Sequence, residues 1–360
     1  MRITGYRLGL LKVPLVTPFK TALRSVDTVE DIVLKLETDA GICGWGEAPP
    51  TAAITGETHE SILRALRTHL LPGLVGRPVD EPPDFSALPP GNTSALAATE
   101  IALFDLQARA AGKHLAAFLG GGPLSIETDI TISLDSVEKM EADTRAAIKA
   151  GFGMLKVKVG RDADLDLARV KAVHAAAGDR AAIRLDANQG WTAEETVRLL
   201  DAIETAGIEL DLIEQPVPAA DLDGLLFVKK RTHVPVLADE SAFNATEARR
   251  VLDMGAADIV NIKLMKAGGI RGALAIVDTV RSFGASCMMG AMMESSISAA
   301  AAAHLAAAAS DVITRIDLDG PALCTHDPAK GGSRFEGPSI RLNETPGLGI
   351  SSVASLTWLD

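Results

Sequence analysis

Residues 155–190, LKVKVGRDADLDLARVKAVHAAAGDRAAIRLDANQG, predict a strand, a helix and a second strand in direct succession. Short apolar runs at 155–160 and 182–188 flank an amphipathic stretch at 162–177. The same alternation continues on both sides of this segment. The predicted strands are TDITISL (128–134), LKVKVG (155–160), AIRLDAN (182–188), LDLIEQP (210–216), VPVLADE (234–240), DIVNIKL (258–264), SCMMGA (286–291) and ITRIDLD (313–319).

Eight strands, each followed by a helix at near-constant spacing, predict an α/β fold of the (β/α)8 or TIM-like barrel type. A doubly wound open sheet is the main alternative. Such a sheet usually has fewer strands and a glycine-rich first turn, so the barrel is favoured.

The first third of the chain has a different pattern and predicts a small α+β unit. Its predicted elements are strands at 2–14, 29–38 and 42–48 and helices at 57–71 and 93–112. The run Gly120-Gly121-Gly122-Pro123 predicts a joint between domains. We therefore expect an N-terminal capping domain over residues 1–123, a catalytic barrel over 124–324, and a C-terminal segment, 325–360, that packs back on the capping domain.

Composition excludes several classes of protein. A hydrophobic content of 47% with 23% charged residues is typical of a globular protein, and the net charge of -12 argues against nucleic-acid binding. Three widely spaced cysteines favour a reducing cytoplasm over a disulfide framework. The N-terminal stretch MRITGYRLGLLKVPL lacks the apolar core of a signal peptide, and the most apolar stretch, 299–309, predicts a buried helix. We expect a cytoplasmic homo-oligomer without nucleic-acid or membrane partners.

From the second predicted strand onward, charged residues fall at the C-terminal ends of the strands, one for each βα unit, with one strand skipped. These residues are Lys158, Asp186, Glu214, Asp239, Lys263 and Asp317. A charge within an apolar strand is costly unless it is paired or binds a metal. In a barrel all these strand ends open on the face that carries active sites, so the series predicts one catalytic site.

Three members of this series are carboxylates: Asp186, Glu214 and Asp239. Oxygen ligands without nearby cysteine or clustered histidine favour a hard cation, Mg²⁺ before Mn²⁺. The alternative is that these carboxylates form salt bridges with the lysines.

Two lysines on one strand suggest a tuned general base. Lys156 and Lys158 are two residues apart, so both side chains point to the same face. Mutual repulsion and a nearby Mg²⁺ would lower a lysine pKa from about 10.4 toward about 7–8. Lys263 lies four strands away, on the opposite side of the barrel. Bases on both sides of one carbon are what racemisation or epimerisation requires.

Asp317 and Asp319 share one face of the last strand and predict a site for a positive group. Because the metal already has three carboxylates, a substrate ammonium group is the natural partner. The alternative for Asp319, which precedes Gly320-Pro321, is a capping or structural role.

The ordered motifs LKVKVG, RLDANQGW, IEQPV, ADES and NIKLMKAGGI resemble the enolase superfamily, in its muconate-lactonizing branch. The resemblance covers essentially the whole chain. It implies a metal held by Asp186, Glu214 and Asp239, with Lys158 and Lys263 as the acid/base pair. It also implies that Lys156 tunes Lys158, and that Asn188 and Glu240 support the metal ligands.

Within that branch, IDLDGP (316–321) resembles the Asp-x-Asp signature of dipeptide epimerases, in which the pair holds the free amino end. The segments TPFKTALRS (17–25) and AAITGET (52–58) resemble specificity loops for a dipeptide of the L-Ala-D/L-Glu type. On this match Arg24 would bind the side-chain carboxylate of the C-terminal glutamate, and Phe19 and Ile54 would form apolar walls. The segment AMMESSIS (291–298) matches no assigned role.

The resemblance therefore implies Mg²⁺-dependent epimerisation of a dipeptide at its C-terminal residue, by 1,1-proton transfer through an enediolate. A cycloisomerase, an o-succinylbenzoate synthase or an N-acylamino acid racemase on the same scaffold is the nearest alternative. The alternative outside the enzymes is a barrel that binds a ligand and does not catalyse a reaction.

Overall fold

The computed structural model describes residues 1–22, 24–81 and 83–359. Leu23 of the segment 17–25, Pro82, and Asp360 of the C-terminal segment lie outside the described residues. The strands are β1 (Ile3–Lys20), β2 (Ser25–Thr38), β3 (Cys43–Ala48), β4 (Ser125–Glu127), β5 (Ile130–Ile132), β6 (Met154–Lys158), β7 (Ala182–Asp186), β8 (Leu210–Glu214), β9 (Val236–Ala238), β10 (Ile259–Lys263), β11 (Ser286–Gly290), β12 (Ile313–Asp317), β13 (Ala329–Gly331), β14 (Arg334–Glu336), β15 (Ser339–Arg341), β16 (Ile350–Val353) and β17 (Leu356–Leu359).

The α-helices are α1 (His59–Ala65), α2 (Thr93–Ala110), α3 (Leu115–Leu119), α4 (Val137–Lys149), α5 (Ala163–Ala177), α6 (Ala193–Thr205), α7 (Leu222–Lys229), α8 (Ala245–Asp253), α9 (Leu264–Ala267), α10 (Ile270–Ser282), α11 (Ser296–Ala308) and α12 (Gly320–Leu323). A π-helical turn, Leu66–Leu70, continues α1, and a 3₁₀ turn, Gly178–Arg180, follows α5. Most barrel helices begin at a side chain that accepts a hydrogen bond from the first turn, namely Ser136, Asp162, Thr192, Asp221, Asn244 and Ser295.

The predicted barrel is confirmed. Strands β5 to β12 form a parallel sheet in which each strand pairs with the next one along the chain. Between the first and last of these strands, the Asp129 amide donates to the Ile316 carbonyl at 3.3 Å, so the sheet is nearly closed into a barrel. All eight predicted strands are present.

The prediction of a full helix after every strand is wrong at the eighth, because α12 is a single turn. The chain then leaves the barrel for the capping domain, where the Thr325 amide donates to the Pro14 carbonyl at 2.9 Å. Cys324 also forms an isolated bridge with Leu15. Pairing with β1 therefore takes the place of a last barrel helix.

The capping domain is built on an antiparallel sheet in the order β17-β1-β2-β3. Strands β1 and β2 are longer than predicted, because they continue to pair through Phe19↔Val26 and Lys20↔Ser25. The tip of this hairpin touches the barrel mouth, where the Leu134 amide donates to the Lys20 carbonyl at 3.0 Å. This contact carries capping-domain side chains to the open end of the barrel.

Close packing of α2 on the capping sheet depends on glycine. A Cβ atom on Gly46 of β3 would lie 1.9 Å from the carbonyl oxygen of Ala98 on α2, which is a severe overlap. The small residue thus allows the helix backbone to approach the strand directly. Among the described residues, no helix combines the length and apolarity that crossing a bilayer requires.

Three consecutive glycines separate α3 from β4. Gly120, Gly121 and Gly122 have φ angles of 135°, 100° and 143°, which other residues rarely adopt. We propose that this turn is the joint between the capping domain and the barrel. The later part of the chain returns to both units, since β17 pairs with β1 and β15 pairs with β4.

The predicted buried helix is confirmed as α11, and its His304 connects three parts of the chain. The Nδ1 atom accepts from the Ala116 amide of α3 at 3.0 Å, and Nε2 lies 2.8 Å from Asn343 Oδ1. This pattern fits a neutral ring with its proton on Nε2. Burial lowers the pKa of His304 to about 4.

We expect His304 to make the fold sensitive to acid. Its folded pKa lies below the unfolded value of about 6.5, so the unfolded chain binds a proton first as the pH falls. Stability should therefore fall between about pH 6.5 and about pH 4, by about 3 kcal/mol. Urea unfolding should show that the free energy of unfolding falls less between pH 7 and pH 4.5 for His304→Gln than for the native protein. The exposed His326, changed to Gln, is the control; equal losses in the native protein and His304→Gln would contradict the assignment.

Candidate active site

The charged strand ends meet at one mouth of the barrel, as their spacing predicts. Lys158, Asp186 and Glu214 are register partners across β6, β7 and β8. Asp239 directly follows β9, and Lys263 ends β10. The side chains of this series are all at least nine-tenths buried.

Gly290 explains why the seventh barrel strand contributes no charge. It is the register partner of Lys263 on one side and of Asp317 on the other. A Cβ atom at Gly290 would lie 2.7 Å from Asn261 Oδ1 and 3.2 Å from Lys263 Cε. A side chain there would fill the space through which Lys263 reaches the centre of the site.

Each lysine of the site contacts carboxylates. The Lys156 Nζ atom lies 2.6 Å from Asp317 Oδ2, 2.8 Å from Glu214 Oε2 and 3.1 Å from Asp186 Oδ2. Lys158 donates to Asp186 Oδ2 at 2.5 Å. Lys263 donates to Asp239 Oδ2 at 2.6 Å. In this structure the three carboxylates therefore form salt bridges with the lysines, which was the alternative to metal binding.

The expected lowering of the lysine pKa is wrong here for Lys156, and the pKa of Lys263 is raised as well. Burial alone would lower the pKa of each ammonium, but the charges of Asp317 and Glu214 raise the pKa of Lys156. The charge of Asp239 likewise raises the pKa of Lys263. The prediction assumed a cation beside the lysines, and in this structure their nearest charged neighbours are carboxylates.

The carboxylates differ in their affinity for protons. Burial opposes ionisation of Asp186, yet the charges of Lys158 and Lys156 lower its pKa to about 2. Burial and the charge of Asp186 raise the pKa of Glu214 to about 7. Burial and Asp239 raise the pKa of Glu240 to about 8. An added cation would favour the ionised forms of both glutamates.

The oxygen atoms of the charged residues at the barrel mouth fit a hard cation. Within the described residues, no three acidic, histidine or cysteine side chains stand close enough to enclose an ion as they are. Lysine ammonium groups fill the positions beside Asp186 and Asp239. Four buried acceptor oxygens nevertheless lack a hydrogen-bond donor among the described residues; they belong to Asn188, Glu214, Glu240 and Asn261. Glu214 Oε2 has the Lys156 ammonium nearby, but not in a hydrogen-bonding orientation. Buried oxygens without donors suit Mg²⁺ or Mn²⁺.

A pocket at the barrel mouth contains all the predicted substrate-binding residues. It is lined by Phe19, Thr21, Arg24, Ala53, Ile54, Thr131, Lys156, Lys158, Asn188, Lys263, Ala291, Met292, Met293, Asp317 and Asp319. The Phe19 ring centre lies 5.6 Å from Lys158 Nζ. The hairpin tip of the capping domain thus closes one side of the site.

The aspartate pair differs from the prediction in one respect. Asp317 is already compensated, because Lys156 donates to it at 2.6 Å. Asp319 Oδ2 accepts from the Thr131 amide at 2.6 Å, and burial and the charge of Asp317 raise the pKa of Asp319 to about 6. Asp319 stands at the N-cap of α12 but forms no capping hydrogen bond, so the alternative capping role is wrong.

Arg24 brings a positive charge to the pocket wall. Burial lowers the pKa of Arg24, and the charge of Asp31 opposes that shift. Within the part of the chain that the structure describes, its guanidinium has no hydrogen bond or ion pair. A half-buried cation with open donors is suited to an anionic ligand.

The sequence patterns did not single out several residues of the site. Thr131 orients Asp319, and Ala291, Met292 and Met293 line the pocket from the segment 291–298. Asn261 and Lys266 contact the carboxylates from below. One signal could have found Asn261: a strand buried on both faces leaves little room for polar residues that have no partner.

Comparison with known proteins agrees with this geometry. Residues 9–120 match the N-terminal domain of mandelate racemase / muconate lactonizing enzyme, and residues 139–354 match the enolase C-terminal domain-like family. The chain is 45% identical to the L-Ala-D/L-Glu epimerase of Clostridium acetobutylicum, over 98% of this chain and 99% of that protein.

Two solved structures superpose closely. A substrate-liganded complex of the L-Ala-D/L-Glu epimerase from Bacillus subtilis has a TM-score of 0.96 and 42% identity, covering 98% of this chain and 100% of the other. A dipeptide epimerase from Enterococcus faecalis V583, complexed with Mg and the dipeptide L-Leu-L-Tyr, has a TM-score of 0.93 and 36% identity, with the same coverage. The predicted membership of the enolase superfamily is confirmed, and the chain belongs to the mandelate racemase / muconate lactonizing enzyme family.

Proposed function

We propose that the protein is a Mg²⁺-dependent dipeptide epimerase that inverts the α-carbon of the C-terminal residue, with L-Ala-D/L-Glu as the substrate type. The observation that carries this proposal is the pair of lysines, Lys158 and Lys263, on opposite walls of one pocket. The identity to L-Ala-D/L-Glu epimerases over nearly the whole chain supports the same substrate.

The lysines act as the acid/base pair. Strands β6 and β10 are four places apart in the eight-stranded sheet, so Lys158 and Lys263 approach a substrate carbon from opposite faces. One lysine, as the neutral amine, takes the α-proton on its Nζ atom, and the ammonium of the other lysine returns a proton on the opposite face. The two steps conserve protons overall and invert the stereocentre.

Asp186, Glu214 and Asp239 would hold the metal ion, with Asn188 and Glu240 beside them. When bound, the cation neutralises the negative charge that develops on the substrate carboxylate as the α-proton leaves. Lys156 stays between Asp186, Glu214 and Asp317 and compensates the charge of these three groups.

The remaining pocket residues select the substrate. Asp319, with Asp317 beside it, binds the ammonium group of the dipeptide, because both carboxylates line the pocket. Arg24 binds the glutamyl side-chain carboxylate. Phe19 and Ile54 provide apolar walls and exclude water from the reacting carbon.

The test is α-proton exchange in heavy water with Mg²⁺ and either L-Ala-L-Glu or L-Ala-D-Glu. We expect both dipeptides to exchange and to convert into each other. Circular dichroism should establish that the sample is folded. A folded, metal-bound protein that exchanges neither dipeptide would rule out the epimerase function.

Arg24 should determine the preference for an acidic C-terminal residue. For Arg24→Met we expect kcat/KM with L-Ala-L-Glu to fall about 10- to 100-fold, because a charge-assisted hydrogen bond is lost. The value with L-Ala-L-Leu should change little, since this substrate has no side-chain carboxylate. Arg7→Met is the matched control, because Arg7 stacks on Trp358 of β17 and neither residue lines the pocket. An equal loss with both dipeptides would instead indicate a structural role.

We also propose that the protein works in the cytoplasm as a homo-oligomer. The three cysteines are unpaired, which supports a reducing compartment. Cell fractionation and light scattering would test these two points separately.

A further inference from the structure

Each of the three proposed metal ligands has one carboxylate oxygen held by a donor other than the acid/base lysines. The three contacts are Asn188 N–H to Asp186 Oδ1 at 2.9 Å, Asn261 Nδ2 to Glu214 Oε1 at 2.8 Å, and Lys266 Nζ to Asp239 Oδ1 at 2.6 Å. Each carboxylate is therefore fixed through one of its two oxygens.

The second oxygen of each carboxylate faces positive charge within the site. These contacts are Lys158 to Asp186 Oδ2 at 2.5 Å, Lys156 to Glu214 Oε2 at 2.8 Å, and Lys263 to Asp239 Oδ2 at 2.6 Å. Each carboxylate thus presents a single oxygen to a cation, and the supporting donor determines which oxygen that is.

Lys266 is built into the protein as a supporting group. Only 2% of its surface is exposed, and it does not line the pocket. Its ammonium also donates to the backbone carbonyls of Asp239 at 2.6 Å, Asn261 at 2.9 Å and Ala242 at 3.2 Å. These contacts fix the backbone and the side chain of Asp239 together.

Asn261 has the same relation to Glu214. It lies on β10 two residues before Lys263, so both side chains point into the barrel. The Asn261 side chain is fully buried, and its amide nitrogen donates a hydrogen bond to Glu214 Oε1. Strand β10 and the short helix α9 after it therefore carry Lys263 and both supporting residues, Asn261 and Lys266.

We propose that Asn261 and Lys266 are positioning residues for the metal site, which hold Glu214 and Asp239 so that one oxygen of each points at the cation. The inference rests on the proposed function for the presence of the cation. It does not require the protein to turn over a dipeptide, so binding can test it alone.

The experiment is calorimetric titration of Mg²⁺ and Mn²⁺ into the full-length protein without substrate. We expect Lys266→Met and Asn261→Leu each to raise the Kd about 10- to 100-fold, the size typical for loss of a group that orients a metal ligand. At saturating Mg²⁺, kcat for α-proton exchange should return close to the native value. A catalytic role would instead leave kcat low at every metal concentration.

Lys229→Met is the matched control, because Lys229 also pairs with an aspartate of the barrel, Asp258, but outside the site. Combining Lys266→Met with Asp239→Ala should weaken binding no further than Asp239→Ala alone, since Lys266 acts through Asp239. If Lys266→Met does not fold, Asn261→Leu provides the test. Native affinity in a folded variant would overturn the positioning role, whereas a native protein that binds no divalent cation would overturn the proposed function.

Discussion

Replacing Lys158 or Lys263 with alanine should abolish epimerisation, while each variant keeps α-proton exchange with one epimer only. The lysines stand on opposite walls of the pocket, so each reaches the α-proton of one configuration. Loss of a general base lowers the rate about 10²- to 10⁴-fold. Each variant should therefore lose exchange with one dipeptide by that factor and retain it with the other.

Proton NMR in heavy water measures this directly, with L-Ala-L-Glu and L-Ala-D-Glu followed in separate samples. Both variants must be saturated with Mg²⁺, because each substitution also removes an ammonium partner from Asp186 or Asp239. The two variants should show opposite stereochemical preferences. If one variant loses exchange with both dipeptides and the other keeps both, a single base performs the reaction and the two-lysine mechanism is wrong.

Replacing Asp319 with asparagine should reduce kcat/KM for a free dipeptide about 100-fold, which is the effect of removing one partner of a buried charge pair. The amide keeps the size of the side chain but loses the charge that the substrate ammonium needs. An N-acylated substrate has no ammonium group, so its activity, if any, should be unaffected. Asp143→Asn, on the outer surface of α4, is the control.

This substitution also separates the proposed function from its nearest alternatives. A cycloisomerase, an o-succinylbenzoate synthase or an N-acylamino acid racemase would keep most of its activity in Asp319→Asn. In the native protein, kcat/KM should fall as the pH drops through about 6, because protonation removes the charge of Asp319. A flat profile in this range would contradict the role of Asp319.

The barrel and its charged layer could be predicted because two periodicities coincide. Apolar strands recur once per βα unit, and Lys158, Asp186 and Glu214 occupy the same register position in neighbouring strands. The family resemblance added Arg24, which no periodic pattern distinguishes from an ordinary loop arginine. Its place in the pocket depends on how far the β1–β2 hairpin continues, which is determined by the pairs Phe19↔Val26 and Lys20↔Ser25.

Other features depend on contacts that a linear pattern does not contain. Lys266 lies in a short helix after β10, and its partners Asp239 and Ala242 come from the preceding barrel unit. The predicted pKa direction for Lys156 was wrong because it depends on which charge stands nearest. That neighbour is a carboxylate in this structure and would be a cation in the proposed metal complex.

The position of β17 beside β1 constrains how the protein can be made in the cell. Leu11 of β1 pairs with Leu356, so β1 leaves the ribosome long before the strand that pairs with it. During most of translation β1 has β2 as its neighbour on one side and an open edge on the other. Such edges invite pairing with other chains, and contacts between residues far apart in sequence form slowly. We therefore expect the nascent capping sheet to need shielding by chaperones until Leu359 has emerged.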